Sequence, residues 1–172
     1  DINFANMISN YLSKKLGFSF DKDGQLAAQG NYNKDLMSEL KKLEFYNKEF
    51  PKSLSIEDFN LWYKPVLENS KCSVFDQLFT CGVHLCETIK TSLNFDENDE
   101  ILLTGGGCHN NFWVKKLKEL KINVVIPKII LIDFKEALIF ALLGVLKMRN
   151  EVNSLKSVTG SSKNLKSGSI YD

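Results

Sequence analysis

What the sequence lacks narrows its class before any motif is considered. Charge of neither sign is in excess, with 22 Lys and Arg against 21 Asp and Glu, so no nucleic-acid partner and no basic or cationic partner is indicated. A secretory leader and a long uncharged apolar segment are both missing, so no membrane association is predicted. The four cysteines lack the dense spacing of a disulfide scaffold. These absences predict a globular protein of the reducing cytoplasm.

An initiator methionine is also missing. Asp1 leads almost at once into a predicted amphipathic helix over residues 3–16, which Gly17 is placed to end with a left-handed cap. We therefore expect this sequence to be a fragment of a longer protein.

The stretch from Ile101 to Asn110 is the centre of the prediction. A short apolar run indicates a buried strand, Gly105, Gly106 and Gly107 follow as a tight turn, and Asn110 stands where it would cap a helix. Such glycines let a ligand lie against backbone amides, and the helix N-terminus adds N–H donors and a favourable dipole. The stretch lacks the GxGxxG spacing and the P-loop lysine. Two interpretations therefore stay open, nucleotide contact and a plain strand-to-helix turn.

Capping patterns and apolar spacing predict a helix-rich chain. Helices are expected over residues 3–16, 34–43, 56–67, 74–94, 111–120 and 134–148. Strand, helix and strand in succession from Ile101 to Ile126 predict a βαβ unit with a parallel pair. The apolar segment 134–148, with a capping box from Asp133 to Glu136, is predicted to be the central buried helix. An acidic turn at 96–100 and a loop-rich tail over 150–172 complete the prediction.

Two metal-site interpretations fail on spacing. Asp21 to Gly24 imitates the opening of a calcium loop, but the residues that follow supply no oxygen ligand, so a turn is favoured. Cys81 and Cys86 are five positions apart and do not share a helix face, and no CxxC pair supports zinc. Buried thiols are the better interpretation, and no residue is assigned as a metal ligand.

Several separated stretches together resemble the carboxyl half of anhydro-N-acetylmuramic acid kinase. They are residues 21–30, 104–110, 133–141 and 153–160, and residues 1–6 and 50–54 fall where that family has matching segments. The resemblance covers essentially the whole chain. It implies an α/β fold, the C-terminal lobe of an actin-like ATPase (ribonuclease-H-like), helix-rich with a small mixed sheet. Residues 1–172 would form a single nucleotide-side lobe of a two-lobe sugar kinase whose N-terminal lobe is missing here.

The resemblance also implies an activity, a phosphoryl transfer that uses ATP and Mg²⁺ in cell-wall recycling. Members of the family open the 1,6-anhydro ring of anhydro-N-acetylmuramic acid with water and phosphorylate the 6-oxygen, which yields N-acetylmuramic acid 6-phosphate. Carried over residue by residue, Gly105, Gly106, Gly107 and Asn110 would lie at the adenosine. The ligands implied are therefore a nucleotide and an anhydro-amino-sugar.

Three further residues are carried over from the family. Asp1 and Asn6 would belong to the second phosphate segment, near the metal, and Glu136 would face the sugar cleft. Glu136 has an equal alternative as the third-position residue of the capping box that Asp133 begins. Between its Asp and Asn the family commonly has glycines, whereas this chain has Ile2 to Ala5.

The resemblance assigns no catalytic residue to this chain. The family's first phosphate loop and its water-activating aspartate lie in the amino-terminal half, and phosphoryl transfer requires both partners to be positioned, so the isolated chain is expected to be inactive. The alternative is a non-enzymatic interaction or regulatory module that retains the fold, without nucleotide affinity and with an exposed apolar face. The oligomeric state is left open, with a homodimer among the alternatives.

Overall fold

Helices outnumber strands in the computed structural model, which describes residues 1–93 and 99–171. In chain order the helices are α1 (Asn6–Lys15), α2 (Lys34–Lys41), α3 (Ile56–Asp58), α4 (Lys64–Asn69), α5 (Val74–Ser92), α6 (Asn111–Glu119), α7 (Ile129–Met148) and α8 (Lys156–Thr159). The strands are β1 (Glu100–Leu102) and β2 (Asn123–Val125). The predicted helix-rich α/β composition is therefore confirmed. The predicted helix end at residue 94 and most of the acidic turn at 96–100 lie outside the described residues.

The chain divides into two units. The larger unit combines Asp1–Lys48 with Lys52–Pro127, and the smaller combines Glu49–Pro51 with the residues from Lys128 onward. The organisation of residues 1–172 as a single lobe of a kinase stays a prediction.

Strands β1 and β2 of the larger unit run parallel. Glu100 pairs with Asn123 and Leu102 with Val125, and the Leu103 N–H continues the ladder by donating to the Val125 carbonyl at 2.9 Å. Helix α6 connects the two strands, so the predicted βαβ unit is confirmed. The prediction of a mixed sheet is wrong for the described residues, because the sheet there consists of this parallel pair.

Helix α5 is the centre of the larger unit and contacts α1, α2 and α6. It begins as predicted, because the Ser73 hydroxyl accepts a hydrogen bond from the Asp76 N–H at 3.1 Å. Gly82 lies where α6 crosses, and a Cβ atom at this glycine would stand 2.7 Å from the Phe112 ring and 3.0 Å from Trp113 Nε1. Glycine at position 82 therefore permits the close packing of α5 against α6.

The core around α5 is built from apolar stripes on several helices. It includes Phe4, Ile8, Leu12, Leu36, Leu40, Phe59, Tyr63, Leu67, Leu85, Trp113 and Leu117. Of the aromatic residues near Phe59, Phe59 and Tyr63 are buried in this core, whereas Trp62 is half-buried. They lie in a π-helical turn, Phe59–Tyr63, directly before α4. Pro65 has no N–H to continue the α-helical pattern, which accounts for the interruption there.

The smaller unit contains α7, α8 and a short antiparallel bridge between Ser154 and Leu165. Two predictions for α7 are wrong. The helix begins at Ile129, because the apolar residues before Asp133 continue the helix upstream, so Asp133 lies inside it and does not cap it. Its side chains are mostly exposed, Phe134 and Phe140 among them, because the smaller unit has few other residues that could cover them. Among the described residues, no helix has the length and apolar character needed to cross a membrane.

Candidate functional site

The glycine loop, residues 104–110, follows the carboxyl end of β1. Gly105 has φ 76° and ψ −178°, a backbone conformation that essentially only glycine adopts. The chain then makes a 3₁₀-helical turn, Gly106–His109, in which the Cys108 N–H donates to the Gly105 carbonyl at 3.1 Å. The predicted tight turn between strand and helix is therefore confirmed.

The surface of this loop is open backbone at Gly105 and Gly106, whereas at Gly107 a Cβ atom would lie 3.3 Å from the Trp113 ring. A Cβ atom at Gly105 would meet no atom within 4 Å, whereas one at Gly106 would lie 3.5 Å from Asn6 Nδ2 and one at Gly107 would lie 4.0 Å from Asn6 Oδ1. The structure thus brings Asn6 together with two of the predicted glycines. The N–H groups of Gly106 and Gly107 precede the first hydrogen bond of the turn and have no acceptor within it. The site therefore offers backbone donors beside a side-chain amide, which suits an anionic or hydroxyl-bearing ligand.

Asn110 caps helix α6, as predicted. Its Oδ1 accepts a hydrogen bond from the Trp113 N–H at 3.1 Å, and the residue is buried. A Cβ atom at Gly24 would stand 2.3 Å from Asn110 Oδ1, and Gly24 has a positive φ of 73°, so glycine is required there. The observed function of the Asn110 oxygen is structural, and its contact with adenosine stays a prediction.

The turn that carries Gly24 is held by Asp21. The carboxylate of this buried residue accepts hydrogen bonds from the Leu26 N–H at 2.7 Å and the Ala27 N–H at 3.1 Å. The predicted turn is confirmed, and the carboxylate is committed to backbone amides. Sequence analysis did not connect this turn with the glycine loop, because their contact is between segments far apart in the chain.

Asp1 lies against the segment near Leu54. Its Oδ2 accepts a hydrogen bond from the Leu54 N–H at 2.8 Å, and its terminal amine donates to the Lys52 carbonyl. Two stretches that were matched to the family separately, residues 1–6 and 50–54, are therefore in contact at this point. A position of Asp1 near phosphate stays a prediction.

Glu136 lies in the smaller unit, on the exposed surface of α7. Because α7 begins at Ile129, Glu136 is not the third residue of the helix, and its interpretation as part of a capping box is wrong. Its predicted position at a sugar cleft is not tested by this.

A partly buried polar network that sequence analysis missed holds the segment before α1. The Asn3 Oδ1 accepts hydrogen bonds from the hydroxyls of Tyr46 at 2.8 Å and Tyr63 at 2.6 Å. Its Nδ2 donates to His84 Nδ1 and to Thr88 Oγ1, both at 3.3 Å. Because Nδ1 accepts, the neutral imidazole carries its proton on Nε2. Nothing local marks Asn3 in the sequence, since its partners come from three separate stretches.

His84 is a buried, neutral histidine. Desolvation, and to a smaller degree the charge of Lys41, lowers its pKa to about 4, and the ring of Tyr46 packs edge-on against it with centroids 4.9 Å apart. Burial also raises the pKa of the Tyr46 hydroxyl. The network is therefore uncharged at neutral pH, which favours a structural function for His84 over general-base chemistry.

Cys81 and Cys86 are buried thiols, as predicted, and Cys108 is buried as well. Burial raises the pKa of Cys81 and raises that of Cys86 to about 12, so both are protonated at neutral pH. Within residues 1–93 and 99–171, no group of three or more His, Cys, Asp or Glu side chains is arranged to hold a metal ion.

Comparison with known proteins identifies the family. The family model described as anhydro-N-acetylmuramic acid kinase matches residues 1–172. Proteins named anhydro-N-acetylmuramic acid kinase from Vibrio parahaemolyticus and Pseudomonas syringae are 31% and 30% identical, over 97% and 96% of this chain and 48% of each relative. One from Sulfurimonas denitrificans is 27% identical over 100% of this chain and 50% of its own. The chain thus spans about half the length of the curated relatives it matches, and it belongs to the anhydro-N-acetylmuramic acid kinase family.

Proposed function

We propose that the chain is the nucleotide-side, carboxyl-terminal lobe of an ATP-dependent kinase with an actin-like fold. The full protein would open 1,6-anhydro-N-acetylmuramic acid with water and phosphorylate its 6-oxygen. The observation that carries the nucleotide assignment is the open glycine loop at the end of β1 with the Asn6 amide against it. In parallel α/β sheets, ligands collect at the carboxyl ends of strands, and membership of the family supplies the reaction.

The residues at the loop fit a nucleotide. A planar adenosine needs a surface without protruding side chains, and Gly105 and Gly106 provide one, because a Cβ atom would meet nothing at Gly105 and only the Asn6 amide at Gly106. Two N–H donors at the start of the 3₁₀ turn and the amide of Asn6 are suited to hydroxyl and phosphate oxygens. ATP, with Mg²⁺, would supply the phosphoryl group and the charge that its transfer requires.

The residues of this chain bind and orient; they do not activate water. Gly105, Gly106 and Gly107 would bear the adenosine, with Asn110 holding the helix behind them. Asp1 and Asn6 would flank the phosphates, and Glu136 would face the sugar. The water-activating aspartate and the first phosphate loop of the family would lie in an amino-terminal lobe, so this chain alone would bind nucleotide without turnover.

A matched pair of substitutions at Gly106 tests the proposal. Gly106→Asp and Gly106→Asn add side chains of the same size, and only the first adds a negative charge. An anionic side chain about 5 Å from a phosphate, at an effective dielectric constant of 20 to 80, costs roughly 1 to 3 kcal/mol, which corresponds to about a tenfold to hundredfold loss of affinity. We expect calorimetric titration with Mg·ADP to detect binding to the wild-type chain and a much larger loss for Gly106→Asp than for Gly106→Asn.

The same titration decides against the competing function. The exposed apolar side chains of α7, including Phe134, Leu138 and Phe140, favour a module that acts by partner contact. That function predicts no affinity for Mg·ADP. Absence of heat with the wild-type chain would therefore contradict the kinase-lobe proposal, and equal affinity of the two Gly106 variants would place the nucleotide away from the loop.

A further inference from the structure

The segment 1–5 enters helix α1 without a local device that fixes its direction. The N-cap residue, Ala5, has φ −111° and ψ −92° and provides no side-chain hydrogen bond to the first turn. A helix start without a capping side chain is held only by the packing around it. The orientation of Asn6, the first residue of α1, must therefore be set by contacts of the residues just before it.

The Asp1 carboxylate holds the start of the segment by accepting from the Leu54 N–H, and two side chains nearer to Asn6 make the remaining contacts. The Phe4 ring packs edge-on against the rings of Phe59 and Tyr63, with centroids 5.7 and 5.1 Å away. Apolar packing of this kind fixes how deeply the segment is buried. Because such contacts have little directional preference, they still allow the segment to rotate or slide. Asn3 supplies the directional contacts, because hydrogen bonds weaken steeply when their geometry is distorted.

The amide of Asn3 uses its full hydrogen-bonding capacity. Its oxygen accepts from two tyrosine hydroxyls, Tyr46 at 2.8 Å and Tyr63 at 2.6 Å, and its nitrogen donates to His84 and Thr88, each at 3.3 Å. A side-chain amide offers two acceptor lone pairs and two donor protons, so four partners of this kind match an asparagine. Aspartate at the same position would have no proton to donate to His84 or Thr88.

The partners of Asn3 are themselves rigid. Tyr63 and His84 are buried, and Thr88 is tied to α5 by donating to the His84 carbonyl at 2.6 Å. Three titratable groups belong to this network: Tyr46, Tyr63 and His84. Two more lie close to it, since Cys81 interacts electrostatically with Tyr46, and the charge of Lys41 on α2 lowers the pKa of His84. Lys41 is paired with Glu87 at 2.7 Å. An uncharged, partly buried network of this kind positions a backbone segment more sharply than fully exposed contacts would.

We propose that Asn3 is a positioning residue for the nucleotide site, whose amide fixes the segment 1–6 so that Asn6 lies against Gly106 and Gly107. This inference rests on the proposed function. In this chain the segment between Asp1 and Asn6 is held by side chains, so Asn6 would be ordered before a nucleotide arrives. Binding then requires less ordering of the protein, which raises affinity.

The test uses variants that remove single hydrogen bonds without removing bulk. Tyr63→Phe deletes one donor to Asn3 and keeps the buried ring, and Asn3→Asp removes both donors of the amide. Tyr11→Phe is the matched control, because it deletes a tyrosine hydroxyl of α1 that donates to Glu68 at 2.8 Å, outside the network. Each variant is titrated with Mg·ADP by calorimetry, and its amide ¹H–¹⁵N spectrum is recorded without nucleotide.

We expect Tyr63→Phe to bind Mg·ADP roughly threefold to tenfold more weakly than the wild type, as the loss of one partly buried hydrogen bond allows, and Asn3→Asp to bind more weakly still. The amide resonances of Asn6 and Gly106 should shift in Tyr63→Phe and stay in place in Tyr11→Phe. Should Asn3→Asp fail to fold, Tyr63→Phe carries the test alone.

The outcomes separate this inference from the function on which it rests. If the wild-type chain does not bind Mg·ADP, both fall. If it binds, and Tyr63→Phe binds equally well with unshifted Asn6 and Gly106 resonances, the positioning function is wrong and the nucleotide assignment stands. A variant with a lower urea midpoint but unchanged affinity and spectrum would likewise overturn the inference, because it would show Asn3 to be a stabilising residue only.

Discussion

The substitution Gly105→Ala should reveal how much the positive φ at this position lowers the free energy of unfolding when the residue is not glycine. Gly105 has φ 76° and ψ −178°, and a Cβ atom there would meet no neighbour within 4 Å. Steric collision would therefore not contribute to the loss of stability in Gly105→Ala, and backbone strain would be its only cause. Holding a non-glycine residue in this region costs about 1–3 kcal/mol.

Gly106→Ala is the control for this measurement. Gly106 is not among the glycines with positive φ, and its Cβ atom would make ordinary contact with Asn6 Nδ2 at 3.5 Å. Both substitutions restrict the unfolded chain equally, which favours folding by about 0.4–1 kcal/mol in each case. That contribution cancels between the two variants, so the difference in their unfolding free energies is the strain itself.

Urea unfolding followed by tryptophan fluorescence measures the difference. Trp113 is a suitable reporter, because it is buried and its Cζ3 atom would lie 3.3 Å from a Cβ atom at Gly107. With a denaturant dependence of about 2 kcal/mol per molar urea, the midpoint of Gly105→Ala should fall about 0.5–1.5 M below that of Gly106→Ala. Equal midpoints would refute the reasoning, since they would mean that the loop relaxes to a conformation open to any residue.

Two further predictions concern the residues around the loop. Asn110→Ala should destabilise the protein by about 1 kcal/mol because α6 loses its cap, whereas Asn111→Ala, at the exposed first position of the helix, should leave urea stability nearly unchanged; equal losses would contradict the capping function. Because the folded pKa of His84 is about 4 and its usual value is about 6.5, the unfolded chain binds the proton first, and stability should fall by on the order of 3 kcal/mol as pH decreases from about 6.5 to 4. His84→Gln should lack this part of the pH dependence, and parallel stability profiles of variant and wild type would show that burial does not disfavour the imidazolium.

Local chemistry made the glycine loop predictable from the sequence. The turn needs a residue tolerant of positive φ next to the strand, and the helix needs a short polar side chain at its start, so Gly105 and Asn110 are visible as residue types at fixed spacing. The same holds for Ser73 at the start of α5 and for Ser55, which forms a capping box with Asp58. In each case the interaction spans only a few residues, so its pattern is contained in the sequence.

Helix α7 shows where such patterns mislead. Asp133 and Glu136 have the spacing of a capping box. The helix nevertheless begins at Ile129, because the four apolar residues 129–132 extend it upstream. A capping pattern inside a continuous helical stretch has no free N–H groups to satisfy. The apolar composition of the helix also predicted burial, but burial depends on which other elements are available to cover a surface, and composition does not contain that information.

Asn3 could not be found from the sequence for a different reason. Its four partners lie on the turn that carries Tyr46, on the π-helical turn with Tyr63 and on α5, so the network exists only after these elements have packed. The family resemblance drew attention to this stretch only as a departure, because it led us to expect glycines between Asp1 and Asn6. In the structure, side-chain hydrogen bonds fix this segment, which glycines would leave flexible.

Helix α5 supports both sides of the candidate site. On one side His84 and Thr88 accept hydrogen bonds from the Asn3 amide, and these bonds hold the segment that ends at Asn6. On the other side Gly82 has no side chain, which allows Trp113 to pack closely against α5, and the ring of Trp113 lies next to Gly107. The spacing between Asn6 and the glycine loop is therefore set by one rigid helix and not by the two loops themselves. Since a site held by packed helices keeps its geometry better than one held by loops, this shared support explains how two segments far apart in sequence form one open surface.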